Sequence, residues 1–112
     1  MFYFAIDGDD VGRLFELFML ENDLEAIRGL TRSVKESLAE IALFLVNNRA
    51  QIIFCEGDSL FAESEDNIKI PNELYLKEKI TFSIGIANSP GDALLALKKA
   101  KGLGKKRIIQ FR

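Results

Sequence analysis

Two acidic tetrapeptides interrupt apolar runs, and together they restrict how this chain can fold. Asp7-Gly8-Asp9-Asp10 closes the run Phe2-Tyr3-Phe4-Ala5-Ile6, and Glu56-Gly57-Asp58-Ser59 lies between Gln51–Cys55 and Leu60–Ala62. Carboxylates beside buried sheet are costly unless something cationic meets them. The strands that carry them must therefore end or turn at the acids. If the two strands lie side by side, Asp7 and Asp58 converge on one site for a divalent metal, with the Gly8 carbonyl as a further oxygen donor. Each motif also has a plainer reading that stays open at this level: the first as a turn and helix cap, the second as a hairpin turn.

Histidine is absent and Cys55 is the only cysteine. His-based triads, His-ligated metals, an internal disulfide framework and a cysteine zinc site are thereby excluded. Any metal has to be held by oxygen, which points to Mg²⁺, Mn²⁺ or Ca²⁺. An EF-hand does not fit, because Val11 and Phe18 stand at the fifth and twelfth positions counted from Asp7. Cys55 itself reads as a small buried hydrophobe with no sign of a reactive thiolate.

At 112 residues and 48% hydrophobic, the chain suits a single domain, 1–112, with a true core. A net charge of −2 supplies no global field for nucleic acid, so no direct DNA or RNA binding is expected. Basic residues do crowd the C-terminal end, from Lys98 to Arg112. No signal peptide is recognisable, and no apolar run nears the ~20 residues of a membrane span. A soluble cytoplasmic protein is expected.

The short aromatic run Phe2–Ile6 reads as a buried strand. Asp9 or Asp10 then caps a helix with Val11, Leu14, Phe15, Phe18 and Met19 on one face. Asn22-Asp23 starts a long amphipathic helix, whose apolar positions run from Leu24 to Leu45 at spacings of three and four and which ends near Asn47-Asn48. Gln51–Cys55, a Glu56-Gly57 turn and Asp58–Ala62 read as a hairpin. Pro71 stops Ile68–Ile70 from becoming a central strand. Ile80, Phe82, Ile84 and Ile86 alternate with Thr81, Ser83, Gly85 and Ala87, which predicts a strand with a helix packed closely over its small-residue face. Ser89-Pro90-Gly91-Asp92 is a strong helix start, and Gly102 and Gly104 end that helix before a last strand at 107–111. The order β-α-α-β-β-β-α-β predicts an α+β, ferredoxin-like palm: an antiparallel sheet with helices on one face.

Lys101 and Lys105, four apart at the end of that helix, can face the same way and suit a triphosphate. They also suit the negative end of the helix dipole with no further role. Gly12 lets a phosphate approach the free N–H groups of the first helix, or is simply a helix-start glycine.

These segments, in this order over nearly the whole length, resemble the palm of GGDEF-type cyclic-dinucleotide synthases and of the polymerase-like subunit of type III CRISPR complexes. The free-standing size is most similar to the minimal CRISPR polymerase family. Residues 4–12 resemble the first metal motif, 54–61 the signature hairpin, 81–87 the following strand, and 93–107 the last helix and its exit. The resemblance implies a nucleotidyltransferase that makes a cyclic di- or oligonucleotide signal in antiviral defence. It places Asp7 and Asp58 as catalytic metal ligands for Mg²⁺ or Mn²⁺, with Gly8 as the carbonyl ligand. Lys101 and Lys105 fall on the pair that holds the triphosphate. Gly57 and Ser59 belong to the nucleotide-binding hairpin.

Several positions depart from the family pattern. Glu56 replaces the first hairpin glycine and Ser59 its second acid, a loss for which Glu56 or Asp9 could compensate. Gly12 stands at a phosphate-contacting lysine position, with Arg13 adjacent. Phe15 stands where diguanylate synthases place an asparagine that reads guanine, which favours ATP among the nucleoside triphosphates. One palm of this size is expected to hold one donor nucleotide, so a homodimer with facing sites is expected. Three other readings remain open: a non-catalytic nucleotide sensor, a class III-type mononucleotide cyclase, and a structural palm.

Overall fold

A five-stranded sheet carries the molecule, in the order β2-β3-β1-β4-β5. The computed structural model describes residues 1–111; Arg112, counted above among the basic residues, lies outside them. In chain order the elements are β1 (Phe2–Gly8), α1 (Val11–Leu20), α2 (Leu24–Asn47), β2 (Gln51–Glu56), β3 (Ser59–Ser64), α3 (Asn72–Tyr75), β4 (Phe82–Ala87), α4 (Pro90–Gly102) and β5 (Ile108–Gln110). β1 is central and antiparallel to both β3 and β4.

Alternation along β1 sorts the helices. Phe4 and Ile6 face one way and bury against Leu30, Val34, Leu38, Ile41 and Leu45 of α2, with Leu60, Phe82, Ile84 and Ile86 completing the cluster. At ~1.5–3 kcal/mol per fully buried large side chain, this is the principal source of stability. Ala5 faces the other way and packs with Ala87 against Ala93 and Leu97 of α4. The palm class stands, but the expectation of helices on one face does not: α2 covers one face and α4 the other. The reason is β4, which is buried along its whole length. A strand covered on both faces needs small residues where the second helix comes close. Gly85 supplies that contact, since a Cβ there would stand 2.2 Å from Leu97 N and 2.3 Å from the Ala93 carbonyl.

The sheet is also not wholly antiparallel, because β5 pairs with β4 in parallel, Gly85 opposite Ile109. Both long helices start as the sequence indicates. Asp23 Oδ1 accepts from Ala26 N–H at 3.0 Å, and Ser89 Oγ from Asp92 N–H at 3.3 Å. The hairpin turn sits one residue further on than expected: Glu56 pairs with Ser59, leaving Gly57 and Asp58 as the loop. Met19 and Leu24, placed on apolar faces by spacing alone, are more than half exposed, and Leu94 nearly so. Cys55 is likewise exposed, on edge strand β2, rather than buried. What enclosure it has pushes its thiol up, so it is no reactive thiolate.

Candidate active site

Asp7 and Asp58 meet where β1 ends beside the hairpin loop. Asp7 pairs with Ser59 in the sheet, and the ladder continues one step further, Gly8 N–H donating to the Asp58 carbonyl at 2.9 Å. Gly57 turns the loop at φ +58, a left-handed conformation that glycine adopts without strain. Gly8 is needed for close approach instead. A Cβ on it would stand 2.7 Å from Val11 Cγ2 and 3.2 Å from both Cβ and Oδ2 of Asp58. The Asp58 carboxylate therefore lies against the Gly8 backbone.

Ser59, standing where the family pattern has a second acid, donates to Asp7 Oδ1 at 2.6 Å. It orients the first carboxylate and adds no charge of its own. Asp58 is pushed up from the ordinary carboxylate range, first by burial and then by the negative charge of Asp7; Lys101 opposes the shift. A carboxylate whose charge is disfavoured, with a second carboxylate beside it, is a suitable donor set for a hard cation. Among the described residues no three or more Asp, Glu, Cys or His side chains form a metal-holding group. The donor chemistry of Asp7, Asp58 and the Gly8 carbonyl, which already accepts from Lys101, is that of a site for an ion such as Mg²⁺, which takes one or two carboxylates and keeps waters and substrate phosphates in its other positions.

The lysine pair does come to this corner, already engaged. Lys101 Nζ lies 3.2 Å from Asp7 Oδ2 and donates to the Gly8 carbonyl and to Asp9 Oδ1, each at 2.8 Å. An ammonium has three donors, so Lys101 must release a contact to hold a phosphate. Lys105 is paired with Asp10 and keeps donors to spare. Its bond holds the Asp10 carboxyl below the ordinary range. Asp10 is the N-cap residue of α1, but its side chain makes no cap bond. The first N–H groups of α1 are thereby left without a side-chain acceptor, as a phosphate-binding terminus requires. Arg13 is exposed and near enough for its charge to act on Asp10, but it lines no cavity described below.

Asp9 is the residue of this corner that sequence reasoning misplaced. It does not cap α1, whose N-cap residue is Asp10. Its side chain is 3% exposed and accepts from Thr81 Oγ1 at 2.7 Å, Ser83 Oγ at 2.6 Å, Lys101 Nζ at 2.8 Å and Lys106 N–H at 3.2 Å. Burial pushes its carboxyl up, but the hydrogen bonds from Lys101, Ser83 and Thr81 together outweigh burial and hold it below the usual range. The bond to Lys106 fastens the loop after α4, where Lys105 and Lys106 sit at φ 67 and 55. Left-handed backbone costs a non-glycine residue ~1–2 kcal/mol, so this loop needs such an anchor. The sequence held one signal: Thr81 and Ser83 are hydroxyls on an otherwise apolar strand, and a buried hydroxyl has to find a partner.

A cavity of about 610 Å³ opens between α1, α2 and the hairpin. Gly12, Phe15, Gly57 and Asp58 line it, joined by Thr31, Val34, Lys35, Leu38 and Ala39 of α2, which the sequence did not place at a site. A Cβ at Gly12 would meet nothing within 4 Å, so packing alone does not require glycine there. A second cavity, about 600 Å³, opens beside Asp7, Ser59 and Lys101 on the α4 face.

Comparison with solved structures returns the same architecture. The active GGEEF domain of a diguanylate cyclase from Vibrio cholerae superposes with a TM-score of 0.61 at 14% identity, covering 99% of this chain and 82% of that one. The GGDEF domain of DgcB from Caulobacter crescentus, in complex with c-di-GMP, gives 0.62 at 14% identity, covering 97% and 76%. At this identity the likeness is one of fold. None of the curated proteins compared with the sequence matches it. The model of the minimal CRISPR polymerase domain, mCpol, matches residues 3–111. The chain belongs to the minimal CRISPR polymerase (mCpol) family, on a palm with the GGDEF-domain fold.

Proposed function

We propose that this chain is a metal-dependent nucleotidyltransferase that joins nucleoside triphosphates, ATP before the others, into a cyclic di- or oligonucleotide, releasing pyrophosphate. Its role would be a signalling one in CRISPR-related antiviral defence. The observation that carries the reading is the pinched corner at Gly8, where Asp7 and Asp58 meet and a nucleotide-sized cavity opens directly beside Asp58.

Asp7, Asp58 and the Gly8 carbonyl would hold Mg²⁺ or Mn²⁺. Once bound, the metal would lower the pKa of the attacking ribose hydroxyl and neutralise charge developing on the pyrophosphate. Ser59 keeps Asp7 turned towards that position. The uncapped start of α1 and the Lys105 ammonium receive the triphosphate, with Lys101 exchanging one of its present contacts for a phosphate oxygen. Phe15 offers the base an aromatic wall with no amide to read guanine, which favours adenine. The second nucleotide has to reach the same carboxylates, presented by a second palm or by this one.

The direct test incubates purified protein with each nucleoside triphosphate and Mg²⁺ or Mn²⁺ and resolves the products by mass spectrometry. A cyclic product from ATP that disappears in Asp58→Asn supports the reading; identical chromatograms for the two proteins would sink it. Product mass also separates ring formation between nucleotides from cyclisation within one. One observation favours a sensor instead: Lys101 already neutralises Asp7 and occupies the Gly8 carbonyl. Calorimetry showing tight ATP binding without turnover would select that alternative.

A further inference from the structure

We propose that Thr31 and Lys35, one turn apart on α2, read the base of the nucleotide in the α1/α2 cavity and select adenine by the edge that carries its N7 and its amino group. This rests on the nucleotidyltransferase reading and adds to it the residues that set base preference.

The wall of this cavity is mostly apolar. Apart from Asp58 at the metal corner and the weakly bonding Cys55 thiol, Thr31 and Lys35 carry the only polar side chains that line it among the described residues. A few polar groups in an apolar pocket are what fix the orientation of a ligand. Their bonding capacities are opposite. Thr31 Oγ1 donates its one proton to the Ile27 carbonyl at 2.9 Å, so towards the cavity it has only lone pairs to offer. The Lys35 ammonium can only donate, and it takes part in none of the ion pairs among the described residues. Both residues are exposed, so each reaches a ligand from the cavity rim.

The order of the two along the cavity follows from the run of the helices. Only residues 21–23 lie between α1 and α2, and so short a connection makes packed helices antiparallel neighbours. Phe18, late in α1, accordingly shares a cavity with Ala26 and Leu30, whereas Gly12, at its start, shares the present one with Lys35. Going back along α2 therefore leads away from the metal corner. Thr31 stands beyond Lys35 by about 6 Å, four residues at a rise of about 1.5 Å each. With the triphosphate at the start of α1, the base has to lie further along, against Phe15, with Lys35 nearer the ribose and Thr31 nearer the far end of the ring.

Adenine offers its groups in the matching order. Along one edge it presents N7, an acceptor, and then the N6 amino group, a donor. Lys35 donates to N7 and Thr31 accepts from N6. Guanine presents N7 and then O6, two acceptors in succession. Its O6 would face the lone pairs of Thr31, and the hydroxyl could serve it only by giving up the bond to Ile27. Lys35 alone would suit either purine. Thr31 is the residue that distinguishes them.

The test is calorimetric affinity, with Mg²⁺, for four triphosphates whose α,β-methylene bridge prevents turnover: those of adenosine, guanosine, 7-deazaadenosine (no N7) and purine riboside (no amino group). Wild type should bind the adenosine compound best and lose about threefold to tenfold with each of the others, the worth of one hydrogen bond. Thr31→Val keeps the side-chain shape and should erase the preference for adenosine over purine riboside, leaving the loss with 7-deazaadenosine in place. Lys35→Met should do the reverse, and Thr31→Ser should behave as wild type. Because both side chains are exposed, these variants should fold, which circular dichroism checks. Equal wild-type affinity for all four compounds overturns base reading by this pair, as does a variant that weakens all four alike, the sign of a phosphate contact. No binding of any of the four by wild type would remove the nucleotidyltransferase reading as well.

Discussion

Asp9→Asn is the perturbation that most directly tests how this site is held. The Asp9 carboxylate is 3% exposed and accepts from two hydroxyls, an ammonium and a backbone N–H. An asparagine of the same shape turns one acceptor oxygen into a donor, facing groups that only donate or prefer to. It also leaves the half-enclosed Lys101 ammonium without its most deeply buried counter-charge. Breaking a buried pair of this kind costs ~3–5 kcal/mol, against a total stability of ~5–15 kcal/mol for a small domain. At ~4 °C per kcal/mol for a chain of this size, the melting temperature should fall by ~12–20 °C.

The pH dependence of that loss follows from the direction of the Asp9 shift. Its carboxyl is held below the ordinary range in the folded state, so between the folded and unfolded values the unfolded chain binds more protons. Stability from Asp9 is therefore fully present above the unfolded value, near ~3.9, and fades as pH falls through the lower, folded one. Thermal melts of wild type and Asp9→Asn should differ by a constant amount above pH ~5 and converge in stronger acid. Ser83→Ala alone should cost ~1–2 kcal/mol, but much less in the Asp9→Asn background, because both act on one network. An Asp9→Asn protein that melts within ~2 °C of wild type at pH 7 refutes the buried-anchor account.

Three further outcomes are expected. Asp58→Asn should abolish nucleotide turnover yet raise the melting temperature at neutral pH, because burial and Asp7 disfavour its ionised form; a lower melting temperature would show that the pair is not mutually repulsive. Gly8→Ala should leave a folded protein by circular dichroism but lose Mn²⁺ affinity and turnover at least tenfold, since its Cβ must displace the Asp58 carboxylate or Val11. Gly85→Ala should cost ~3 kcal/mol in chemical denaturation, because the neighbours its Cβ meets are α4 backbone that can yield only by moving the helix.

The elements were readable from the sequence where a period or a cap reports on local geometry. The spacing from Leu30 to Leu45 gives α2, and Asp23 and Ser89 mark helix starts that their own hydrogen bonds confirm. Alternation in 80–87 gives β4 and even the close helix over Gly85. What alternation does not report is which helix covers which face. The division of α2 and α4 between the two sides depends on long-range packing, as does the parallel pairing of β5. The same limit applies at the corner itself. The sequence marked Asp7 and Asp58 as neighbours, because both terminate apolar strands. It did not mark Asp9, because an acid after a strand looks like a cap until the hydroxyls of Thr81 and Ser83 are seen to arrive from 72 and 74 residues away.

Charge placement explains why the corner tolerates four acids and two lysines. Asp9 and Asp10 engage Lys101 and Lys105 and are stabilised in ionised form by them, while Asp58 is left in an environment that disfavours its charge. Each carboxylate that already has a cation serves structure: Asp9 ties α4 and its exit loop to β4, and Asp10 fixes Lys105 at the start of α1. The carboxylate without an adequate cation is the one that has most to gain from a metal. Asp7 lies between the two cases, shared by Ser59 and Lys101. A site with all its acids satisfied internally would bind a divalent ion weakly, and one with none satisfied would strain the fold. The distribution here concentrates the unmet charge at Asp58, which is where a metal bound by Asp7 and the Gly8 carbonyl would also have to lie.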